Sequence, residues 1–413
     1  MFRNFPAFLG LLALAGCSQL PPQAPATPAP TAACPAAQTC PACPVCPTVE
    51  PPKPAEKPLQ AADWNELPGW GADDPSAAFA AFVASCRSLE RQAHWKPVCA
   101  SARELTDTGN GALRAWFEAR FQPWALVNPD GSRQGLITGY YEPILKGSRQ
   151  RSKAYPNPVF GPPEDMIVVE LAELYPELKH LRLRGRIEGR KLVPYYSRAE
   201  WGPQESKRSP EALLWIDDAI DLFFMQIQGS GQIQLADGSR VRLNYADQNG
   251  HPYRAIGRWL VERGEMKADQ ASMHNIKAWA KANPSRLTEM LNANPSLVFF
   301  RELPVEGSGP QGAMGLPLTP ERSLAVDPRH IPLGAPIWLA TTRPNSGPNS
   351  GPNSERALNR LMVGQDTGGA IRGVVRADFY WGSGLEAGNQ AGKMRQQGRM
   401  WVLLPRGFVP GTP

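Results

Sequence analysis

The chain has 413 residues, 20% of them charged, a net charge of +6 and 44 prolines crowded towards the N-terminus. That length carries two domains and a substantial core. The small positive charge suits an acidic polymer and a plain solvated surface equally, so it calls for no nucleic-acid partner.

Met1-Phe2-Arg3-Asn4 is a short basic start, and residues 5–14 form an apolar run of signal-peptide length. The run is too short for a permanent membrane-spanning helix, which favours a secretory signal. Leu14-Ala15-Gly16-Cys17 follows and resembles a bacterial lipobox, in which the Cys17 thiol takes the lipid and becomes the first mature residue. Ser18 comes next, where an Asp would favour inner-membrane retention. The expected location is therefore the inner leaflet of the outer membrane, facing an oxidising periplasm.

Residues 18–60 are rich in Pro, Ala and Cys and cannot bury a core, so they read as a semi-rigid spacer. Cys34, Cys40, Cys43 and Cys46 lie within it; without a nearby His or a surrounding fold they suggest disulfides more than metal or redox chemistry. Asp74-Pro75 predicts a helix start, and Phe79, Phe82, Val83, Cys86 and Leu89 repeat at helical spacing. Cys99 falls in a second helical segment, where an oxidising compartment predicts a structural Cys86–Cys99 disulfide.

Residues 136–243 read as short strands, with 181–190 alternating like an exposed strand and 216–227 as a helix running into Gln228-Gly229-Ser230-Gly231. A helical block follows over 253–292. Short strands return at 336–340, 361–363, 370–375 and 400–404, the texture of a small barrel. The Pro-Asn-Ser-Gly repeat at 344–354 predicts a surface hairpin extension.

Most catalytic signatures are missing. The five His are scattered, with no H-E-x-x-H and no Cys/His pair, so no metal is expected. Gly229-Ser230-Gly231 lacks the nucleophile-elbow frame, and no glycine-rich loop suits a phosphate or dinucleotide, so no cofactor is expected either. What remains is carboxylates at Gly-rich strand ends: Asp327, Asp366 before Gly368-Gly369, and Asp378 beside Phe379, Tyr380 and Trp381. Aromatic neighbours would desolvate Asp378, raising its pKa towards that of a general acid, and would suit sugar stacking. Asp327 and Asp366 also read as turn-capping residues.

Several motifs in order resemble the membrane-bound lytic murein transglycosylase A (MltA) family. They are Thr138-Gly139-Tyr140-Tyr141-Glu142-Pro143, residues 223–231, Tyr245 to Gly257, 294–300, the segment around Asp327, 366–382, 386–392 and 398–403. The resemblance implies a mainly β fold with helical segments. It comprises a double-psi β-barrel over 61–140 and 245–413, an inserted β-rich domain over 141–244, and a groove between them. It places the catalytic acid/base at Asp378 with Asp366 supporting it. Substrate would lie along Thr138, Gly139, Tyr140, Tyr141, Gln228, Ser230, Gly231, Tyr245, Asn249 and Asp327. The repeat, the Cys-Pro tail and a slightly longer Asp366–Asp378 link depart from the family pattern.

The implied activity is non-hydrolytic cleavage of the MurNAc–GlcNAc bond of peptidoglycan to 1,6-anhydro ends, with glycan strands as partner, a lipid anchor, and cell-wall synthesis proteins as further candidate partners. Three other readings stay open. A murein hydrolase would use both Asp366 and Asp378; an aspartic protease would need a second Asp366-Thr367-Gly368-like loop; a non-catalytic murein-binding lipoprotein would keep the groove alone.

Overall fold

The computed structural model describes residues 57–410 apart from 180, 209–210, 308 and 345–355. Cys17, the signal and most of the spacer with its four Cys therefore lie outside the described residues, as does almost all of the repeat. In chain order the strands begin with β1 (Leu59–Ala61), β2 (Phe121–Leu126) and β3 (Gly135–Glu142). Next come β4 (Ile144–Ser148), β5 (Asn157–Phe160), β6 (Ile167–Val168), β7 (Arg184–Glu188), β8 (Lys191–Pro194), β9 (Ala212–Ile216), β10 (Ser230–Gln234), β11 (Arg240–Gln248) and β12 (Val298–Leu303). The last group is β13 (Ser323–Val326), β14 (Pro336–Thr342), β15 (Ala357–Asp366), β16 (Ala377–Ser383) and β17 (Arg395–Pro405).

The order β17-β14-β15-β13-β16-β3 returns to β17 through a β17–β3 pairing, so these strands close into a barrel and leave no open edge between them. Two of the pairings, β13–β15 and β16–β3, are parallel. Ile337, Trp338 and Leu339 are consecutive and all buried, because β14 is covered on both faces. The outer cover includes α1 (Ser76–Leu89), α2 (Lys96–Glu104) and α3 (Asn110–Arg120), whose Phe79, Phe82, Trp116 and Phe117 join Trp338 in one core. The Cys86 and Cys99 sulfurs are bonded, tying α1 to α2. At the start of α1, Asp74 Oδ1 accepts the Ser76 N–H at 3.0 Å, while Pro75 takes the cap position expected of the aspartate.

A second sheet runs β12-β11-β10-β4-β9-β5, and a small one runs β6-β7-β8. Helices α4 (Arg198–Arg208), α5 (Ala219–Gln228), α6 (Ile256–Glu262), α7 (Met273–Ala282) and α8 (Leu287–Asn292) belong to this region; α9 (Gly384–Ala391) follows β16. The second sheet is continued by β12 to Leu303, so the expected division at 244/245 falls inside β11. Two local expectations are corrected. Ile216 ends a strand before the helix begins at Ala219. Residues 370–375 form irregular backbone with a bend, not a strand, because the segment finds side-chain partners in place of a ladder: Gly373 N–H donates to Asp327 and Val375 N–H to Asn128.

The chain passes from barrel to second sheet between Glu142, the last residue of β3, and Ile144. Glu142 is 0% exposed. Its Oε1 accepts Arg242 Nε at 2.7 Å; its Oε2 accepts Gln232 Nε2 at 2.8 Å and Ser383 Oγ at 2.6 Å. Arg242 also donates to the Glu306 carbonyl at 2.7 Å. One carboxylate thus fastens β10 and β11 to the ends of β3 and β16. Glu142→Ala leaves the Arg242 charge buried without its partner, which typically costs about 3–5 kcal/mol. The expected outcome is a lower urea midpoint by tryptophan fluorescence; an unchanged midpoint would remove Glu142 from this role.

Candidate active site

A groove of about 670 Å³ is lined from the barrel by Gly139, Tyr140, Ala325, Asp366 and Asp378, and on the other side by Gln228 at the end of α5 and Ser230, Asn244 and Tyr245 of the second sheet. The strands explain how the two aspartates meet. Ala325 of β13 is the register partner of Asp366 on β15 and of Asp378 on β16. Directly opposed residues share a sheet face, so both carboxyls rise beside the small Ala325 side chain, their backbones about 10 Å apart across two inter-strand spacings.

Two hydroxyls on β3, spaced by one strand period, reach these carboxyls. Thr138 Oγ1 donates to Asp378 Oδ1 at 2.6 Å and Tyr140 OH donates to Asp366 Oδ2 at 3.0 Å. Asp366 Oδ1 also accepts the backbone N–H groups of Ala313 at 3.0 Å and Thr367 at 2.9 Å. Both oxygens of Asp366 are therefore engaged. Among the described residues no hydrogen bond reaches Asp378 Oδ2. Arg376 stands behind the Thr138–Asp378 pair, donating to Thr138 Oγ1 at 2.9 Å.

Burial raises both carboxyls above the ordinary range. It carries Asp366 to about 6, against the donors from Thr367, Tyr140 and Ala313 that favour its charged form. It also raises Asp378, against the Thr138 hydroxyl and the Arg376 charge. Burial, with the neighbouring carboxylates, holds the Tyr140 phenol well above its usual value, so it stays a donor.

The remaining expected residues divide. Gln228 lines the groove and its Oε1 accepts the Tyr141 N–H at 3.0 Å; Gly229 ends α5 in the left-handed region at φ 79°, turning the chain into β10. Tyr141, Gly231, Asn249 and Asp327 are not among the groove-lining residues. The Tyr141 ring packs in the main core. A Cβ on Gly231 would lie 2.5 Å from Met225 Sδ, so close packing demands glycine there. Asn249 is buried and clamps the Tyr196 and Pro295 carbonyls at 2.9 and 2.8 Å. Asp327 is 0% exposed; burial pushes its carboxyl up, but Arg329 and the Gly373 and Arg329 N–H groups win and hold it well below the usual range. The expectation that the aromatics after Asp378 face sugar is also corrected. Strand alternation sends Phe379 and Trp381 into the main core, and Tyr380 is buried beneath Tyr140. The aromatic rings open to the groove are those of Tyr140, Tyr245 and Tyr253.

Sequence reasoning passed over Arg376, Ala325, Ala313 and the groove arginines 182, 198 and 301. The Gly-rich run Gly309-Pro310-Gln311-Gly312 was the available signal for the loop that donates to Asp366.

Residues 136–301 match the MltA specific insert domain and residues 322–404 match the 3D domain. Membrane-bound lytic murein transglycosylase A of Escherichia coli K12 is 33% identical over 296 residues, covering 71% of this chain and 72% of that protein. The crystal structure of MltA from Neisseria gonorrhoeae superposes with a TM-score of 0.72 at 37% identity, covering 85% of this chain and 94% of that one. Escherichia coli MltA with bound chitohexaose superposes with a TM-score of 0.64 at 27% identity, covering 86% and 96%. The chain, a β protein with several helices, belongs to the membrane-bound lytic murein transglycosylase A family.

Proposed function

We propose that the protein is a lytic transglycosylase that cleaves the MurNAc–GlcNAc β-1,4 bond of murein without water, with Asp378 as acid and then base. The observation that carries this reading is the unequal engagement of the two carboxyls: Asp378 Oδ2 faces no donor among the described residues, whereas Asp366 is held at both oxygens. A group that gives up and recovers a proton needs a free oxygen at the groove.

In this mechanism protonated Asp378 transfers its proton to the glycosidic oxygen as the bond to C1 breaks, releasing the 4-hydroxyl of the departing GlcNAc. The Asp378 carboxylate then removes the proton of the MurNAc C6 hydroxyl, whose oxygen bonds to C1 and closes the 1,6-anhydro ring. Asp378 ends protonated, as it began. Ordinary glycosidases need a second carboxylate as nucleophile or base. Here Asp366, fixed by Tyr140, Thr367 and Ala313, supplies negative charge near the oxocarbenium-like centre and forms no bond. The closed barrel with its two parallel pairings supports the double-psi description of the catalytic domain, with the second sheet as the insertion. Lipidation at Cys17 would hold the enzyme on the outer membrane facing the periplasm, within reach of murein.

Asp378→Asn keeps the shape and removes the proton, with an expected loss of about 10²–10⁴-fold in anhydro-muropeptide release, read by mass spectrometry of digested sacculi. Products with reducing ends from the unaltered enzyme would instead move the reading to a two-carboxylate hydrolase.

The rate should fall as pH rises through the Asp378 pKa, because the proton to be donated is lost. Thr138 donates to the ionised form, so Thr138→Val raises that pKa further and should shift the falling limb to higher pH. A limb that stays in place under this substitution would separate it from Asp378.

A further inference from the structure

The groove is electrically divided. Its charged lining consists of Asp366 and Asp378 on the barrel wall and Arg182, Arg198 and Arg301 on the opposite side. Other arginines outside the barrel are matched with carboxylates: Arg184 with Asp247 at 2.9 Å, Arg242 with Glu142 at 2.7 Å and Arg149 with Glu302 at 2.5 Å. Among the described residues, neither Arg182 nor Arg301 forms an ion pair, and Arg198 has only the field of the neighbouring Glu205 carboxylate. Arg182 Nη1 donates only to Tyr245 OH at 3.2 Å, with its guanidinium over that ring. Arg301 Nη2 makes a long contact of 3.4 Å to Gln311 Oε1, on the loop whose Ala313 N–H holds Asp366. Arg198 is spent on neutral carbonyls, Asn294 O at 3.2 Å and Ser296 O at 2.7 Å.

Each guanidinium carries five donors in a planar fork suited to a carboxylate, and here several face the groove without an anionic partner. A neutral polymer of N-acetylglucosamine offers them hydroxyls and amides only. Murein offers carboxylates, from the lactyl ether of MurNAc or from the peptide stems attached to it. We propose that Arg182 and Arg301, backed by the Arg198 charge, form a carboxylate-reading wall that selects anionic murein over neutral glycans in this groove. This rests on the reading of the groove as a murein site and names the chemistry by which it would recognise its substrate.

Burial pulls the Arg198 guanidinium down to about 10, partly offset by the Glu205 carboxylate, so it is still charged at neutral pH and its field persists on the groove wall. Arg182 and Arg301 are exposed, which makes their replacement tolerable to the fold.

The test measures binding by calorimetry to the full chain carrying Asp378→Asn, so that no substrate is consumed. Three ligands of equal length are compared: chitohexaose, a peptide-free MurNAc–GlcNAc oligomer bearing lactyl carboxylates, and the same oligomer bearing peptide stems. The expected result is at least about ten-fold tighter binding of an anionic oligomer than of chitohexaose, since charge-assisted hydrogen bonds are worth that much or more. Adding Arg182→Gln and Arg301→Gln should bring the ratio close to one. Preference for the peptide-free oligomer assigns the wall to the lactyl group; preference for the peptide-bearing one assigns it to the stem. Equal binding of neutral and anionic ligands, or a preference that survives the double substitution, overturns the proposal. The reaction reading stands or falls separately, on the products that unaltered enzyme releases from sacculi. Binding of none of the three ligands also overturns the proposal of the wall and leaves the reaction reading to the product analysis.

Discussion

The groove exists because one buried carboxylate holds two sheets together. Glu142 sits where the chain leaves the barrel, and its oxygens are shared among Arg242, Gln232 and Ser383. A buried ion pair pays a large desolvation cost and is stable only when its remaining hydrogen-bonding sites are filled. Here they are filled from β10, β11 and β16 together. The network therefore specifies one arrangement of the second sheet against the barrel, where apolar packing alone would tolerate sliding. Asn244 extends the link, exchanging hydrogen bonds with the Gln311 backbone at 2.9 and 3.1 Å, in the loop that reaches Asp366.

Within that frame, two aspartates on neighbouring strands of β13 become chemically different. Both are raised by burial, so the distinction does not come from desolvation. It comes from the count and placement of donors. Three donors fix Asp366 at both oxygens, while Asp378 receives one hydroxyl and keeps the other oxygen clear. Ala325 between them matters for what it lacks, since a larger side chain there would occupy the space both carboxyls share. In the proposed reaction this asymmetry is what lets a single residue serve as acid and base while the other remains a fixed charge.

The opposite wall carries the complementary feature, the guanidiniums of Arg182 and Arg301, which form no ion pair among the described residues. Positive charge across the groove opposes the negative wall and orients any ligand that has both sugar rings and carboxylates. Tyr140, Tyr245 and Tyr253 provide the apolar surface between these walls.

Much of this was legible in the sequence. Periodicity marked the helices and the barrel strands, and the Gly-rich strand ends marked Asp366 and Asp378. The strand expected at 370–375 was lost because β-forming residues there give their backbone N–H groups to Asp327 and Asn128, side chains no local pattern reveals. Motif membership also could not separate residues that face the groove from those that build it. Asn249 and Gly231 sit in the same motifs as Tyr245 and Ser230, and Asp327 heads a motif of its own, yet the structure uses them for clamping, close packing and ion pairing. The sequence by itself determined the elements and the supply of carboxyls, hydroxyls and guanidiniums, because these follow from local residue order. Only the tertiary structure decided which Asp378 oxygen stays free and which arginines face the groove unpaired, because those outcomes depend on partners such as Thr138, 240 residues away along the chain.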